Sequence, residues 1–193
     1  MNRLSRNVSV ILSPEEGYSL LQVRDDVEGN PLQFFGGWMK GFYPEYEESA
    51  KEESVEQTIY REMIDELGLS LREIFFLPFP NMDDYTLRRD NGQNSIVYLT
   101  KAVIKPEWIG NKKKVERNEE VQGKLNLREG SSMDVFKLEE SLLKQNLYPN
   151  DRRIFGIYLR NKDEMEQSAF KLSLENLYLP DKKRLEKLIR VWA

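Results

Sequence analysis

Apolar and polar residues alternate through "NVSVILS" (7–13), and "YSLLQVR" (18–24) follows across the turn-forming "PEEG", so the pattern opens on two strands. "LQFFGG" predicts a short strand ending on Gly36 and Gly37. The period changes after Ser54. Val55, Ile59, Tyr60, Met63 and Leu67 fall on one side of a wheel turning about 100° per residue, which marks an amphipathic helix. Ser54 and Gln57 have the spacing of a capping box, and Gly68 sits where a helix stops. Next, "REIFFLPF" and "NSIVYLTKAVI" read as strands flanking "DDYTLRRDNGQ". Residues 110–132 are polar and marked by Gly and Ser, which predicts a long loop or insertion. "MDVFKL" reads as a last strand, and "EESLLKQNL" and "DRRIFGIYLRN" as two helices. In the tail, Leu185, Leu188, Ile189 and Trp192 share one helical face behind Asp181 as a cap. This predicts a C-terminal helical extension over 166–193 that packs on its own domain or forms a homodimer contact. Its basic face, with Lys182, Lys183, Arg184, Lys187 and Arg190, is then solvated. The order of elements predicts an α/β fold, a mixed sheet carrying helices.

Composition narrows the chemistry. The 193 residues are 39% hydrophobic and 32% charged, which suits a globular domain with a full core. No apolar run approaches the roughly 20 residues of a membrane span. The basic start "MNRLSRNVSVILSP" lacks the apolar length and cleavage site of a secretory signal, so the expectation is a cytoplasmic protein without membrane contact. The chain has no Cys and no His. Disulfides, the usual zinc sites, and Ser-His, Cys-His and imidazole chemistry are therefore excluded. Hydrolytic chemistry must rest on carboxylates, Lys, Tyr or Arg, and a metal must be held mainly by oxygen, which suits magnesium or manganese. A net charge of −4 argues against general nucleic-acid binding.

Glu62, Asp65 and Glu66 cluster within roughly 100° on the flank of the helix beside its apolar stripe. Like charges so spaced cost about 0.2–0.5 kcal/mol per pair, so the cluster invites a counter-charge or a solvated face. "ESVEQTIYREMIDELGL" (53–69) resembles the Nudix box, G-x(5)-E-x(7)-R-E-U-x-E-E-x-G-U, with U a bulky apolar residue. Glu53, Arg61, Glu62, Met63, Glu66, Gly68 and Leu69 match, and Asp65 replaces the first glutamate of the pair. The resemblance implies a Nudix-like α/β/α sandwich over residues 1–165. It implies Glu62, Asp65 and Glu66 as ligands of Mg2+ or Mn2+, and an Arg61–Glu53 ion pair holding the catalytic loop. Glu66, Glu62, Arg61 and Glu53 are thus the catalytic set, and the implied substrate is a nucleotide-type small molecule carrying a diphosphate.

The match breaks at the opening glycine. Position 47 is Glu47, and fifteen residues separate Gly37 from Glu53 where the pattern has five, which reads as a ten-residue insertion within 38–52. Gly37 would then supply the turn and a backbone carbonyl to the metal. The insertion brings Trp38, Phe42, Tyr43 and Tyr46 near the site, rings that can stack on a nucleobase or cover a sheet edge or a dimer partner. Trp38 and Tyr85 are the substrate-binding candidates; Tyr85 lies where dinucleoside polyphosphate enzymes of the family tend to carry a tyrosine. Relatives also draw a glutamate from a loop beyond the box, for which Glu119 and Glu120 are candidates, with Glu120 as a metal ligand. "KKK" (112–114) and Arg88-Arg89 are phosphate contacts or solvated charge. The expected activity is hydrolysis of a diphosphate linkage in a nucleoside diphosphate compound such as ADP-ribose, an NAD-like dinucleotide or a nucleoside triphosphate. The alternative is a Nudix-fold nucleotide sensor or interaction module.

Overall fold

Strand β1 (Ser5–Ser13) runs through the middle of the sheet and carries partners on both sides. The computed structural model describes residues 5–41, 52–69, 73–78, 85–88, 94–109, 112–121, 125–160, 162, 178 and 183. β1 pairs antiparallel with β2 (Tyr18–Val23) and parallel with β6 (Asn94–Ile104), in register from Ser5 opposite Ser95 to Ser13 opposite Val103. β6 borders β4 (Ile74–Pro78) and β5 (Tyr85–Arg88), both antiparallel. β2 pairs with the short β3 (Leu32–Gln33) and with β10 (Ser132–Lys137), which in turn carries β7 (Lys114–Glu116). The sheet is therefore mixed. β8 (Glu120–Val121) and β9 (Leu125–Asn126) form a separate small ribbon.

Strand alternation divides the apolar residues between two cores. Val8, Val10 and Leu12 of β1, with Leu20, face helix α1 (Val55–Leu67) and pack with Ile59, Met63 and Leu67. Ile11 and Leu21 face the other way, toward Ile154, Phe155 and Tyr158 of helix α2 (Pro149–Arg160). One helix on each face gives the α/β/α sandwich. The adjacent Phe34 and Phe35 are split between the same two cores. Burying Ile59, Met63 and Leu67 contributes about 1.5–3 kcal/mol each, which holds α1 flat on the sheet.

The segment after β3 continues along β1. Val10 N donates to Phe35 O at 2.8 Å, Val8 N to Gly37 O at 2.9 Å, and Met39 N to Arg6 O at 2.9 Å. This lays Gly36 and Gly37 across β1, beneath α1.

The sequence pattern and the structure part in two places. Residues 110–132, expected as a long loop, contain β7, β8 and β9; each is two or three residues long and buries one apolar residue, Val115, Val121 or Leu125. Strands so short leave no readable alternation. "EESLLKQNL" forms a five-residue 3-10 turn over Glu140–Lys144 in place of a full helix. Pro149 then starts α2 two residues before Asp151, as a first-turn proline favours. The C-terminal extension lies outside the described residues apart from Tyr178 and Lys183. The Tyr178 hydroxyl bonds to both carboxylate oxygens of Glu107, at 3.1 and 2.9 Å. Among the described residues no helix is long and apolar enough to cross a membrane.

Candidate active site

Helix α1 is fixed at both ends by local chemistry. Ser54 Oγ accepts from Gln57 N at 3.2 Å and Gln57 Oε1 accepts from Ser54 N at 2.9 Å, a complete capping box. Such a cap contributes about 1 kcal/mol. At the other end Gly68 adopts the left-handed conformation, φ 69°, that terminates the helix.

Arg61 joins this helix to the loop before it. Its Nε donates to Glu53 Oε1 and its Nη2 to Glu53 Oε2, both at 2.9 Å, the parallel fork that guanidinium and carboxylate geometry favours. Nη2 also donates to the Trp38 carbonyl at 2.6 Å, and Nη1 to Glu62 Oε1 at 2.5 Å. Burial works against the Arg61 charge, but Glu53 and Glu62 more than offset it and raise its pKa. Burial likewise pushes Glu53 up, yet the Arg61 bonds, the Lys40 amide and Thr58 bring it below its ordinary value. Lys40 and Glu53, thirteen residues apart, are brought together at the mouth of this arrangement. Lys40 N donates to Glu53 Oε2 and Glu53 N to Lys40 O, both at 3.1 Å.

Glu66 is 2% exposed, and both of its carboxylate oxygens are held. Gln22 Nε2 donates to Oε1 and Gly36 N to Oε2, each at 3.0 Å. Burial, then the charge of Glu62, push its pKa well above the usual carboxylate value; the Gly36 and Gln22 amides oppose them, and Glu129 adds to the rise. Glu62 is also raised by burial, against the pull of Arg61, with Glu129 and Asp65 contributing. These carboxylates feel one another's charge and lie away from bulk water.

The two glycines make room for this set. Gly36 has φ 129°, and a Cβ there would fall 2.1 Å from Val8 O, so only glycine fits. At Gly37 a Cβ would lie 2.1 Å from Glu62 Oε1. The Gly37 carbonyl, expected to face a metal, accepts from Val8 N in the sheet; it is Gly36 whose amide faces Glu66.

Glu62, Asp65 and Glu66 line one cavity of about 740 Å3, together with Gly36, Gly37, Trp38 and Arg61. Asp65 is exposed at its edge. Glu129, which the sequence pattern did not single out, lines the same cavity. Glu120 is exposed on β8 and does not line it, and Glu119 pairs with Lys112 and accepts from Glu116 N at 3.1 Å. Lys114 pairs with Glu116 at 2.7 Å, so the lysines at 112 and 114 are engaged with neighbouring acids. Tyr85 stands opposite Val97 on β5, but its side chain, like Arg88's and like Phe42, Tyr43, Tyr46 and Arg89 entirely, lies outside the described residues.

An oxygen-only set of clustered carboxylates is the chemistry that suits magnesium or manganese, and the burial and mutual repulsion that raise Glu62 and Glu66 are what a cation's charge would offset, so these residues fit such an ion. They do not form a finished cage: among the described residues no three acidic side chains converge as a ready cation site. Glu62 Oε1 is instead bonded to Arg61.

No family model matches the chain, and no curated protein sequence matches it. Solved structures share its fold at low identity. The MutT protein from Methanosarcina mazei Go1 superposes with a TM-score of 0.52 at 18% identity, over 83% of this chain and 96% of that one. The E. coli dihydroneopterin triphosphate pyrophosphohydrolase gives 0.52 at 11% identity, over 81% and 95%. A NUDIX-family hydrolase from Clostridium perfringens gives 0.46 at 14% identity, over 83% and 99%.

Proposed function

We propose that this chain, which has the Nudix fold, is a divalent-cation-dependent pyrophosphohydrolase. Its substrate is a nucleoside diphosphate compound, whether a dinucleotide, an ADP-ribose-like molecule or a nucleoside triphosphate. One observation carries the reading: three carboxylates of one helix, Glu62, Asp65 and Glu66, line a single cavity with Glu129, beside an Arg61–Glu53 clamp.

Glu62, Asp65 and Glu66 would hold Mg2+ or Mn2+, which when bound supplies charge neutralisation for a diphosphate and acidifies water. Without such a counter-charge, an anionic substrate meets only repulsion from this wall. Gln22 and the Gly36 amide fix the orientation of Glu66 and leave each of its oxygens a further lone pair for a ligand. Glu129 lines the cavity within reach of the charges of Glu62 and Glu66, so it is placed to accept a proton from the attacking water. Arg61 ties Glu53, Glu62 and the Trp38 carbonyl together, so helix and loop hold one geometry. Glu66→Gln in the folded protein with magnesium tests the assignment. Turnover should fall by about 100-fold or more; unchanged turnover would remove the mechanism.

A second reading, a nucleotide sensor without hydrolysis, is favoured by the absence of a ready cation cage among the described residues and by the hold of Arg61 on Glu62. Calorimetry separates the two. Nucleotide binding with no affinity for manganese identifies the sensor, and manganese affinity that Glu66→Gln abolishes supports the hydrolase.

A further inference from the structure

Helix α1 ends on acids where its dipole favours a cation. Its last turn carries Asp65 and Glu66 and no basic residue. Gly68 N donates to Ile64 O and Leu69 N to Met63 O, both at 3.0 Å, which closes part of the open carbonyl end. Arg128, from the turn between β9 and β10, supplies what the helix lacks. Its backbone N donates to Glu66 O at 2.8 Å and its Nη1 to Ile64 O at 3.0 Å, so it brings hydrogen-bond donors and a positive charge together. The guanidinium passes over Gly68, where a Cβ would lie 3.0 Å from Nη2. The glycine is thus needed for its left-handed backbone and also for the approach of Arg128.

Just beyond, the same turn is fastened to the sheet. Gly130 has φ 71°, and a Cβ there would fall 2.6 Å from Val23 O and 3.2 Å from Gln22 Oε1. Ser131 N donates to Val23 O at 3.0 Å, and Ser131 O accepts from Arg117 N at 2.9 Å. Glu129 stands between these anchors. It is exposed, and it lines the cavity with Glu62 and Glu66. An exposed side chain is placed by the backbone that carries it, and Arg128 holds that backbone on the helix side. We propose that Arg128 is a positioning residue: its hold on the carboxyl end of α1 sets Glu129 against Glu62 and Glu66. Because Arg128 bonds the Glu66 carbonyl itself, the turn and the carboxylate cluster keep one geometry. Arg128 does not line the cavity, so it acts through Glu129. The proposal rests on the hydrolase reading for what Glu129 does, not for where it is held.

The chain has no Cys, so Glu129→Cys gives a single attachment point for a nitroxide. The line shape of that label reports whether the turn is held, whether or not the protein turns over a substrate. The label should be immobilised beside Arg128 and become mobile once Arg128→Ala is added. A control label on Lys144→Cys, exposed at the end of the 3-10 turn, should not respond. Arg128 is exposed, so its truncation spares the core. The kinetic arm uses whichever of ATP, GTP and ADP-ribose is hydrolysed fastest with magnesium. Arg128→Ala should lower kcat about 10- to 100-fold and leave KM within about twofold. In a Glu129→Gln background the same substitution should cost nothing further, whereas general damage to the fold would add. A label equally immobile with and without Arg128, or losses in kcat that add, would overturn the proposal. The two readings fail separately. A label freed by Arg128→Ala in a protein that hydrolyses nothing would sink the hydrolase and keep the hold on Glu129. Hydrolysis by wild type with a label indifferent to Arg128 would do the reverse.

Discussion

The Gln22 side-chain amide donates to Glu66 Oε1 at 3.0 Å and ties strand β2 to the carboxylate cluster of α1 across forty-four residues of chain. Gln22 is 1% exposed, so the bond is made without competition from solvent. Gln22→Leu should lower stability by about 1–3 kcal/mol, because it leaves a buried carboxylate oxygen short of a donor. It should also weaken manganese binding, since Glu66 then holds its proton more firmly. Urea denaturation and a manganese titration check the two effects.

Arg61 makes a fork that a lysine cannot copy. Arg61→Lys should therefore destabilise the protein nearly as much as Arg61→Ala. The expected loss is about 1–3 kcal/mol in urea denaturation, less than for a fully buried pair because Arg61 keeps partial exposure. Equal stability of wild type and Arg61→Lys would show that the fork geometry contributes nothing.

The adjacent glycines should respond differently. A Cβ at Gly36 meets the backbone of Val8, so Gly36→Ala should cost about 1–3 kcal/mol and show in the melting temperature. A Cβ at Gly37 meets a side chain, the carboxylate of Glu62, which can swing aside. Gly37→Ala should keep most of the stability and lose metal affinity.

Much of this site was legible because it is local. The capping box of Ser54 and Gln57, the stop at Gly68 and the Arg61–Glu53 spacing all lie within one helix and its approach. Gly36 and Gly37 lie beside this helix in the structure although fifteen residues separate Gly37 from Glu53, because Lys40 and Glu53 are hydrogen-bonded to each other. Gln22, Glu129 and Asp151 were not legible. They come from β2, from the turn before β10 and from α2, and only the sheet topology brings Glu129 and Asp151 to one cavity and Gln22 against Glu66, which lines it. Asp151 in particular reads as an ordinary first-turn acid until its burial is seen.

Asp151 also sets a pH dependence. Its proton stays bound in the folded chain up to about pH 8, and in the unfolded chain only up to its ordinary value of 3.8. Between those limits the folded state binds more protons, so stability falls as pH rises, and this contribution levels off above about 8. Glu62 and Glu66, also raised, slope the same way in the metal-free protein. Melting temperatures from pH 5 to 8 should therefore decline less steeply for Asp151→Asn than for wild type. Parallel curves would contradict the burial of this carboxyl.

The most direct test is manganese binding followed by electron paramagnetic resonance, in wild type and in Glu62→Gln and Glu66→Gln proteins that retain the wild-type fold by circular dichroism. The free-ion signal should be depleted by wild type and should return to near its protein-free level with either variant. Depletion equal in all three proteins, or absent in wild type with and without a nucleotide, would contradict the claim that these α1 carboxylates are gathered to hold a cation.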